Sequence, residues 1–350
     1  MKHLRFCRRY LIGDPRKKAG KIMKIWARSF TAAAVLGFLL TSSEVLIAVE
    51  LQQATVHTSG SATVNALIFK IGEDLGFYKD EGLRVLPIVA TSQAGVQGLL
   101  GGSFDYSQII GQGSVAIFRG APLKILMVFE TKPLFWLYGR KGINTLEDLK
   151  GGKLVGVSSL GAGTDQMTRE VFAKKGIDAQ RDVVIQGTGT GAVRMAALLS
   201  GAIDAAVVSP SERIIAKRNG LHELAFYGDF VDTVNGGVLA RERLVSERRD
   251  FVRRFLRGTL RAFLWIRSNE KEAVARITGD FKIPESEAFE IYKEGVRVHS
   301  HDGTITRDYQ ERVIAFQKKH VKVDKEVLPE RVYDFSILQS LNEELKKAGR

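Results

Sequence analysis

The chain has 350 residues, enough for two domains of ordinary size, with 45% hydrophobic residues, a single cysteine and a formal net charge of +13. The charge is uneven: residues 1–48 hold ten Lys/Arg against Asp14 and Glu44, so they account for +8 and leave about +5 spread along the remainder. A nucleic-acid binder concentrates Lys/Arg on one face, so this distribution argues against nucleic acid as a partner, and Cys7 leaves the rest of the chain without a disulfide, thiolate metal site or cysteine nucleophile.

Residues 1–48 read as an export signal. A basic stretch, MKHLRFCRRYLIGDPRKKAGKIMKIWARS, precedes the apolar run FTAAAVLGFLL, the polar TSSE and a second short apolar run. The first run is shorter than the roughly 20 residues of a membrane span, and Glu44 interrupts its extension. Met23 opens a more ordinary signal and is an alternative start. No lipobox cysteine follows, so the expected product is soluble, and the periplasm is its expected location; a monomer and no cofactor are expected as well.

From Thr55 onward, β-branched runs alternate with helical patterns. TVHTS, LRVLPIVA, YSQIIG and LKILMVF form one series of candidate strands, and KLVGVSS, DVVIQGT, AAVVSP and LAFYGD a second. Between them, PLFWLYGRKGINTLEDLKGG supplies a connecting strand and a short helix at TLEDL that stops at Gly151 and Gly152. The series resemble each other. LLGGSFDYSQIIGQGSVAIFRG at 99–120 and LLSGAIDAAVVSPSERIIAKRNG at 198–220 share a helix end, a Gly turn, an Asp, an apolar strand and a further helix, which sets Asp105 against Asp204. The expected fold class is α/β with two lobes, each a mostly parallel sheet flanked by helices, joined by two crossing segments. The boundaries are 1–48 for the signal, 49–133 plus 236–350 for lobe 1 with its C-terminal helices, and 134–235 for lobe 2.

Beyond Asn235, GGVLAR reads as a return strand, and the chain is then mainly helical. ERLVSERRDFVRRFLRGTLRAFLWIRSN is one amphipathic helix with Phe251, Phe255, Leu260 and Phe263 on its core face and arginines outside. Three more helices follow at IPESEAFEIYKEGVRV, TRDYQERVIAFQKKH and YDFSILQSLNEELKKAG.

The stretch GVSSLGAGTDQMTREVFAKKG, residues 156–176, has a strand, a glycine loop and a helix capped at Thr164. A dinucleotide fingerprint requires Gly where Gln166 stands, and no Gly-Lys-Ser/Thr of a P-loop occurs. Asp165 in the first turn competes with an anion for the positive helix end, so the sign of a ligand stays open. Similar small polar loops recur at HTSGSAT, ATSQAG, GQGS, GTGTGA and SPSE, where strands enter helices. Ligands of open α/β sheets bind beyond the carboxyl ends of the strands, so two such lobes make a clamp, with hinges near 130–136 and 234–238. Catalytic constellations are lacking. His57 reads as a pocket or packing residue, HSHD at 299–302 as a solvated turn of metal-like composition, and neither HExxH nor GxSxG occurs.

Four segments carry a family resemblance: IFKIGEDLGFYKDEGLRV, QAGVQGLLGGSFDYSQI, INTLEDLKGGKLVGVSSLGAG and RRDFVRRFLRGTLRAFLWIRSNEKEAVARI. In this order, across about 52–280, the chain resembles exported ABC-transporter substrate-binding proteins of the nitrate, sulfonate, taurine and thiamine-pyrimidine-precursor type. The resemblance implies a periplasmic-binding-protein fold that closes on a small molecule and delivers it to an ABC-type membrane permease. The family's ligand loops fall on Ser59, Ser61, Gln93, Gln112, Ser114, Ser159, Gly163, Thr164 and Thr188, with Asn235 beside the return crossing. A related enzyme of thiamine-pyrimidine synthesis carries a cysteine-rich motif that this chain lacks; an enzyme on the same fold and a ligand-sensing receptor subunit remain the alternatives.

Overall fold

The computed structural model describes residues 50–58, 63–234 and 236–347; the leader, Ser59, Ser61 and Asn235 lie outside them. The first sheet contains β1 (Gln52–Thr58), β2 (Leu83–Val89), β3 (Tyr106–Ile109) and β4 (Leu123–Val128). The second contains β5 (Trp136–Gly139), β6 (Lys153–Val157), β7 (Val183–Gly187), β8 (Ala205–Val208) and β9 (His222–Phe226), after which β10 (Gly236–Arg241) returns to the first. The strand orders are β2-β1-β3-β10-β4 and β7-β6-β8-β5-β9. Each sheet is therefore parallel except for one strand in the same fourth place, β10 or β5, which is antiparallel to both neighbours. This is the expected fold class: two lobes, joined by two crossing segments.

The repeat extends to individual hydrogen bonds. In the first lobe the Asp105 carboxylate accepts from Thr55 N–H (2.9 Å), and Asp105 N–H donates back to Thr55 O (3.1 Å). In the second the Asp204 carboxylate accepts from Leu154 N–H (2.9 Å), and Asp204 N–H donates to Leu154 O (2.9 Å). Both pairs are 50 residues apart in the chain. The aspartate entering the third strand thus clamps the first, fixing Val56 opposite Tyr106 and Val155 opposite Ala205. The turn before each aspartate needs a left-handed residue to stop the helix, and Gly102 (φ 86°) and Gly201 (φ 77°) supply it.

Six helices follow the strands: α1 (Val64–Asp74), α2 (Ser92–Gly101) and α3 (Ile110–Phe118) in the first lobe, and α4 (Gly163–Lys174), α5 (Gly191–Ser200) and α6 (Pro210–Arg218) in the second. The expected TLEDL helix is a single 3₁₀ turn at Glu147–Leu149. The single amphipathic helix expected after β10 is two, α7 (Glu242–Glu247) and α8 (Arg249–Ser268), because Arg248 leaves helical geometry (φ −128°, ψ 45°). The apolar spacing runs through the break without change, so the sequence pattern carries no sign of it.

The apolar face of α8 completes the larger core. Phe255 stacks on Tyr106 (ring centroids 3.7 Å) and on Tyr78 (5.7 Å), while Phe263 stacks on Phe129. Tyr78 fits because Gly72 and Gly258 flank its ring, and its hydroxyl is paired with Thr259 Oγ1 at 2.9 Å.

The C-terminal helices α9 (Glu270–Phe281), α10 (Glu285–Val298), α11 (Arg307–Val321), α12 (Pro329–Val332) and α13 (Ser336–Lys347) are not an appendage. From α10, Glu294 pairs with Arg213 (3.1 Å), Glu290 with Lys217 (3.6 Å) and Glu287 with Arg218 of α6. From α11, Lys319 pairs with Glu170 of α4 at 2.7 Å. Because α4 and α6 cover opposite faces of the second sheet, α10 and α11 hold that lobe from both sides.

Asp204→Ala removes the acceptor for Leu154 N–H and a partner of Arg140. We expect a loss of about 1–3 kcal/mol, read from the urea midpoint at unchanged slope, with Asp204→Asn losing less because its amide oxygen still accepts.

Candidate ligand-binding site

The carboxyl ends of β1, β2, β3, β6, β7 and β8 lead into the small polar loops singled out in the sequence. Gln93 and Gln112 are exposed in the first turns of α2 and α3. Ser159 is exposed in the β6–α4 loop, Gly163 opens α4 with nothing within 4 Å of where a Cβ would stand, and Thr188 is half-buried after β7. Ser114 is different: it is buried inside α3, and its hydroxyl donates to Ile110 O at 2.8 Å, so its proton is committed to its own helix.

The reading of Thr164 as the helix cap is corrected. The N-cap of α4 is Ala162, and Thr164 lies inside the first turn, where its Oγ1 accepts from Ser158 N–H at 3.0 Å and pairs with Ser158 Oγ at 2.7 Å. It closes the loop back onto the strand end. Asp165 does the same from the next position: its carboxylate accepts from Gly161 N–H (2.7 Å) and from Arg169 Nε (2.8 Å). Its charge is answered within the chain.

Behind the loops, the lobes fill equivalent space from opposite elements. In the first, His57 on β1 is fully buried, with Nδ1 2.8 Å from Ser107 Oγ and Nε2 3.2 Å from Ala90 O. A carbonyl only accepts, so Nε2 carries the proton. Burial holds His57 below its ordinary value of 6.5, which keeps it neutral. The ring fits because Gly95 of α2 has no side chain: a Cβ there would stand 2.1 Å from it. In the second lobe Gly156 occupies the strand position, and Arg194 reaches in from α5, donating from Nε to Val207 O (2.8 Å) and from Nη1 to Gly189 O (2.5 Å). Both staples bind the carbonyl that precedes the next helix cap, Thr91 or Thr190.

Where the first crossing segment leaves β4, Glu130 is buried beside the start of α1. Asn65 of α1 donates to its carboxylate, and Asn65 Oδ1 accepts from His299 Nε2 at 3.1 Å. Burial pushes the Glu130 carboxyl from 4.5 up to about 7 and His299 from 6.5 down to about 3. The HSHD segment is accordingly not a solvated turn: His299 packs on Phe263, and Ser300 Oγ donates to Val128 O. Among the described residues no group of three or more His, Cys, Asp or Glu could hold a metal ion. The sequence signal for this cluster was a lone acid in the apolar KILMVFETK; nothing linked it to Asn65 or His299.

A family model described as NMT1/THI5 like matches residues 64–273. The chain belongs to the NMT1/THI5-like family. No curated protein sequence matches it. Among solved structures, the periplasmic aliphatic sulphonate-binding protein of Escherichia coli superposes with a TM-score of 0.65 at 17% identity, covering 81% of this chain and 97% of that one. The periplasmic nitrate-binding protein of Synechocystis PCC 6803 gives 0.66 at 15%, covering 85% and 90%. The desulfurization enzyme DszB gives 0.61 at 15%, covering 84% and 99%. These establish the fold of this NMT1/THI5-like chain, a fold that carries binding proteins and an enzyme.

Two outcomes follow from these contacts. Gly95→Ala forces a Cβ onto the His57 ring and should cost about 1–3 kcal/mol; in the His57→Ala background the penalty should largely vanish, giving a measurable coupling in a double-mutant cycle. The buried pair has opposite pH dependences. Stability from Glu130, whose folded pKa is raised, is present below pH 4.5 and lost as pH rises through about 7. Stability from His299, whose folded pKa is lowered, is present above pH 6.5 and lost as pH falls toward about 3. Denaturant titrations should therefore show Glu130→Gln flattening the fall on the alkaline side, and His299→Gln flattening the one on the acid side.

Proposed function

We propose that the protein is a periplasmic solute-binding protein that captures a small molecule by lobe closure and delivers it to an ABC-type membrane permease. The observation that carries this reading is the duplicated architecture: two lobes of equal strand order, each ending its parallel strands in N–H and hydroxyl-rich loops, and linked by the short segments 129–135 and 227–235. Such a molecule can enclose a ligand by a change confined to the links. We assign 49–133 and 236–350 to lobe 1, 134–235 to lobe 2, and residues 1–48 to a cleaved export signal with Met23 as an alternative start. Gln93, Gln112, Ser159, Gly163 and Thr188 are the proposed contacts, together with Ser59, Ser61 and Asn235.

Support comes from the family and from neighbours whose names describe sulphonate- and nitrate-binding periplasmic proteins. No helix among the described residues is long and apolar enough to cross a membrane. The test is a thermal-shift panel of small polar compounds on protein purified from an exporting host, with turnover followed in parallel because DszB shares the fold. A ligand at a hundredfold its Kd should add about 2.7 kcal/mol and remain chemically unchanged. Consumption of the compound, or indifference to the whole panel and to a cell extract, would overturn the proposal.

A further inference from the structure

The chain passes between the two cores twice, and the residues that bracket each passage locate it. In the first crossing, Phe129 is packed in the core of the first sheet and Leu134 in that of the second, which leaves 130–133 between them. In the second, Val231 belongs to the core of the second sheet and Val234 to that of the first, so the passage is Asp232 and Thr233. A rotation of the lobes has to turn the backbone at these two places, because the residues on either side are fixed by packing.

Both places are held by one helix. The Tyr309 hydroxyl of α11 donates to Thr131 O in the first crossing and lies 3.4 Å from Thr233 O in the second. Arg312, about one turn on, pairs with Asp232 at 3.0 Å, and Gln317 Nε2 reaches Thr233 Oγ1 at 3.5 Å. The helix is itself seated in both cores: Val313 and Ile314 are buried in the first, and Phe316 packs on the second. The end of α10 adds to the hold on the first crossing, since Thr131 N–H and Oγ1 both donate to Val298 O, at 2.8 and 3.1 Å.

Of these contacts the Tyr309 hydroxyl alone touches both crossings. The Arg312–Asp232 pair is exposed and contributes little. Among the described residues no other donor reaches Thr131 O or Thr233 O. Burial, and then Asp232, push the hydroxyl above its ordinary value of 10, so it keeps its proton. A hydroxyl has one proton and a carbonyl only accepts, so the two crossings draw on a single donor.

Resting on the lobe-closure reading, we propose that Tyr309 is the positioning residue of that motion: its hydroxyl ties both crossing points to α11 and thereby holds the lobes in the orientation of this structure. The tie sets how much of the population leaves that orientation. A hydrogen bond confined to one lobe, however well formed, has no such effect.

The experiment needs no ligand. With Cys7→Ser the chain has no native cysteine, and Gln97→Cys on α2 with Ala196→Cys on α5, both exposed, put one spin label on each lobe. Double electron–electron resonance on this parent, made in an exporting host, should give a single narrow distance distribution. Tyr309→Phe keeps the ring and removes the hydroxyl, and it should raise the population at other distances about fivefold. Tyr292→Phe is the matched control: its hydroxyl donates to Ile266 O at 3.2 Å between α10 and α8, so its loss should lower the urea midpoint and leave the distribution unchanged. A Tyr309→Phe distribution that overlays the parent's, or an equal broadening by Tyr292→Phe, overturns the proposal and leaves the hydroxyl a packing contact only. A broad distribution in the parent overturns it too, by a measurement that needs no variant. Solute binding is read separately from the thermal-shift panel, so either reading can fail while the other stands.

Discussion

Each lobe depends on one clamp, the reciprocal pairing of an aspartate with the backbone of the first strand. A parallel strand pair receives no help from a tight hairpin; its register must be set by something that arrives a helix later. Asp105 and Asp204 do this by giving a carboxylate to the strand N–H and taking the strand carbonyl with their own N–H. Side chains alternate along a strand, so a one-residue slip would exchange its two buried faces and set Val56 and Val155 where His57 and Gly156 belong. The clamp therefore fixes which residues face the sheet interior and, in consequence, which residues end the strands. The loops proposed to meet ligand are in register because the aspartates are.

The exchange of His57 with Gly95 for Gly156 with Arg194 shows what the duplicated plan leaves free. The space behind the strand end accepts one large polar side chain, from either the strand or the helix, provided that the facing position is glycine or lies clear of it. Both solutions tie down the carbonyl before a threonine cap, so both rigidify the loop in front. They differ in charge. A neutral imidazole stands behind the first lobe's loops and a guanidinium behind the second's, where Glu212 balances it. The electrostatic balance of the two jaws is thus set by residues that lie behind the loops.

Features that depend on short stretches of chain were legible in the sequence. The alternation of strands and helices, the paired LLGGSFD and LLSGAID segments and the return strand GGVLAR all rest on local periodicity and turn chemistry. The correspondence of Asp105 with Asp204 was visible, but not its meaning, since the partner backbone lies 50 residues away. Thr164 was read as a cap because threonine before a helical run usually is one; the glycine ahead of it lets the helix begin earlier, and the hydroxyl then turns back to Ser158. The cluster of Glu130, Asn65 and His299 was out of reach for a different reason. Asn65 and His299 are 234 residues apart, and each looked ordinary alone: a polar residue near a helix start and half of a metal-like dipeptide pair.

Any closing motion must be compatible with the contacts that cross between the lobes. Ion pairs from α10 to α6 and from α11 to α4 lie on opposite faces of the second sheet. The Glu290–Lys217 pair is exposed on both sides and tolerates sliding at small cost, whereas Arg213 and Glu294 are half-buried and resist it more. The cluster of Glu130, Asn65 and His299 is not one of these contacts: it ties the end of β4 to α1 and to the end of α10, all on the side of the first sheet. A closing motion can leave it intact, so what such a motion has to displace at the helix faces is the set of ion pairs that α10 and α11 make to α6 and α4.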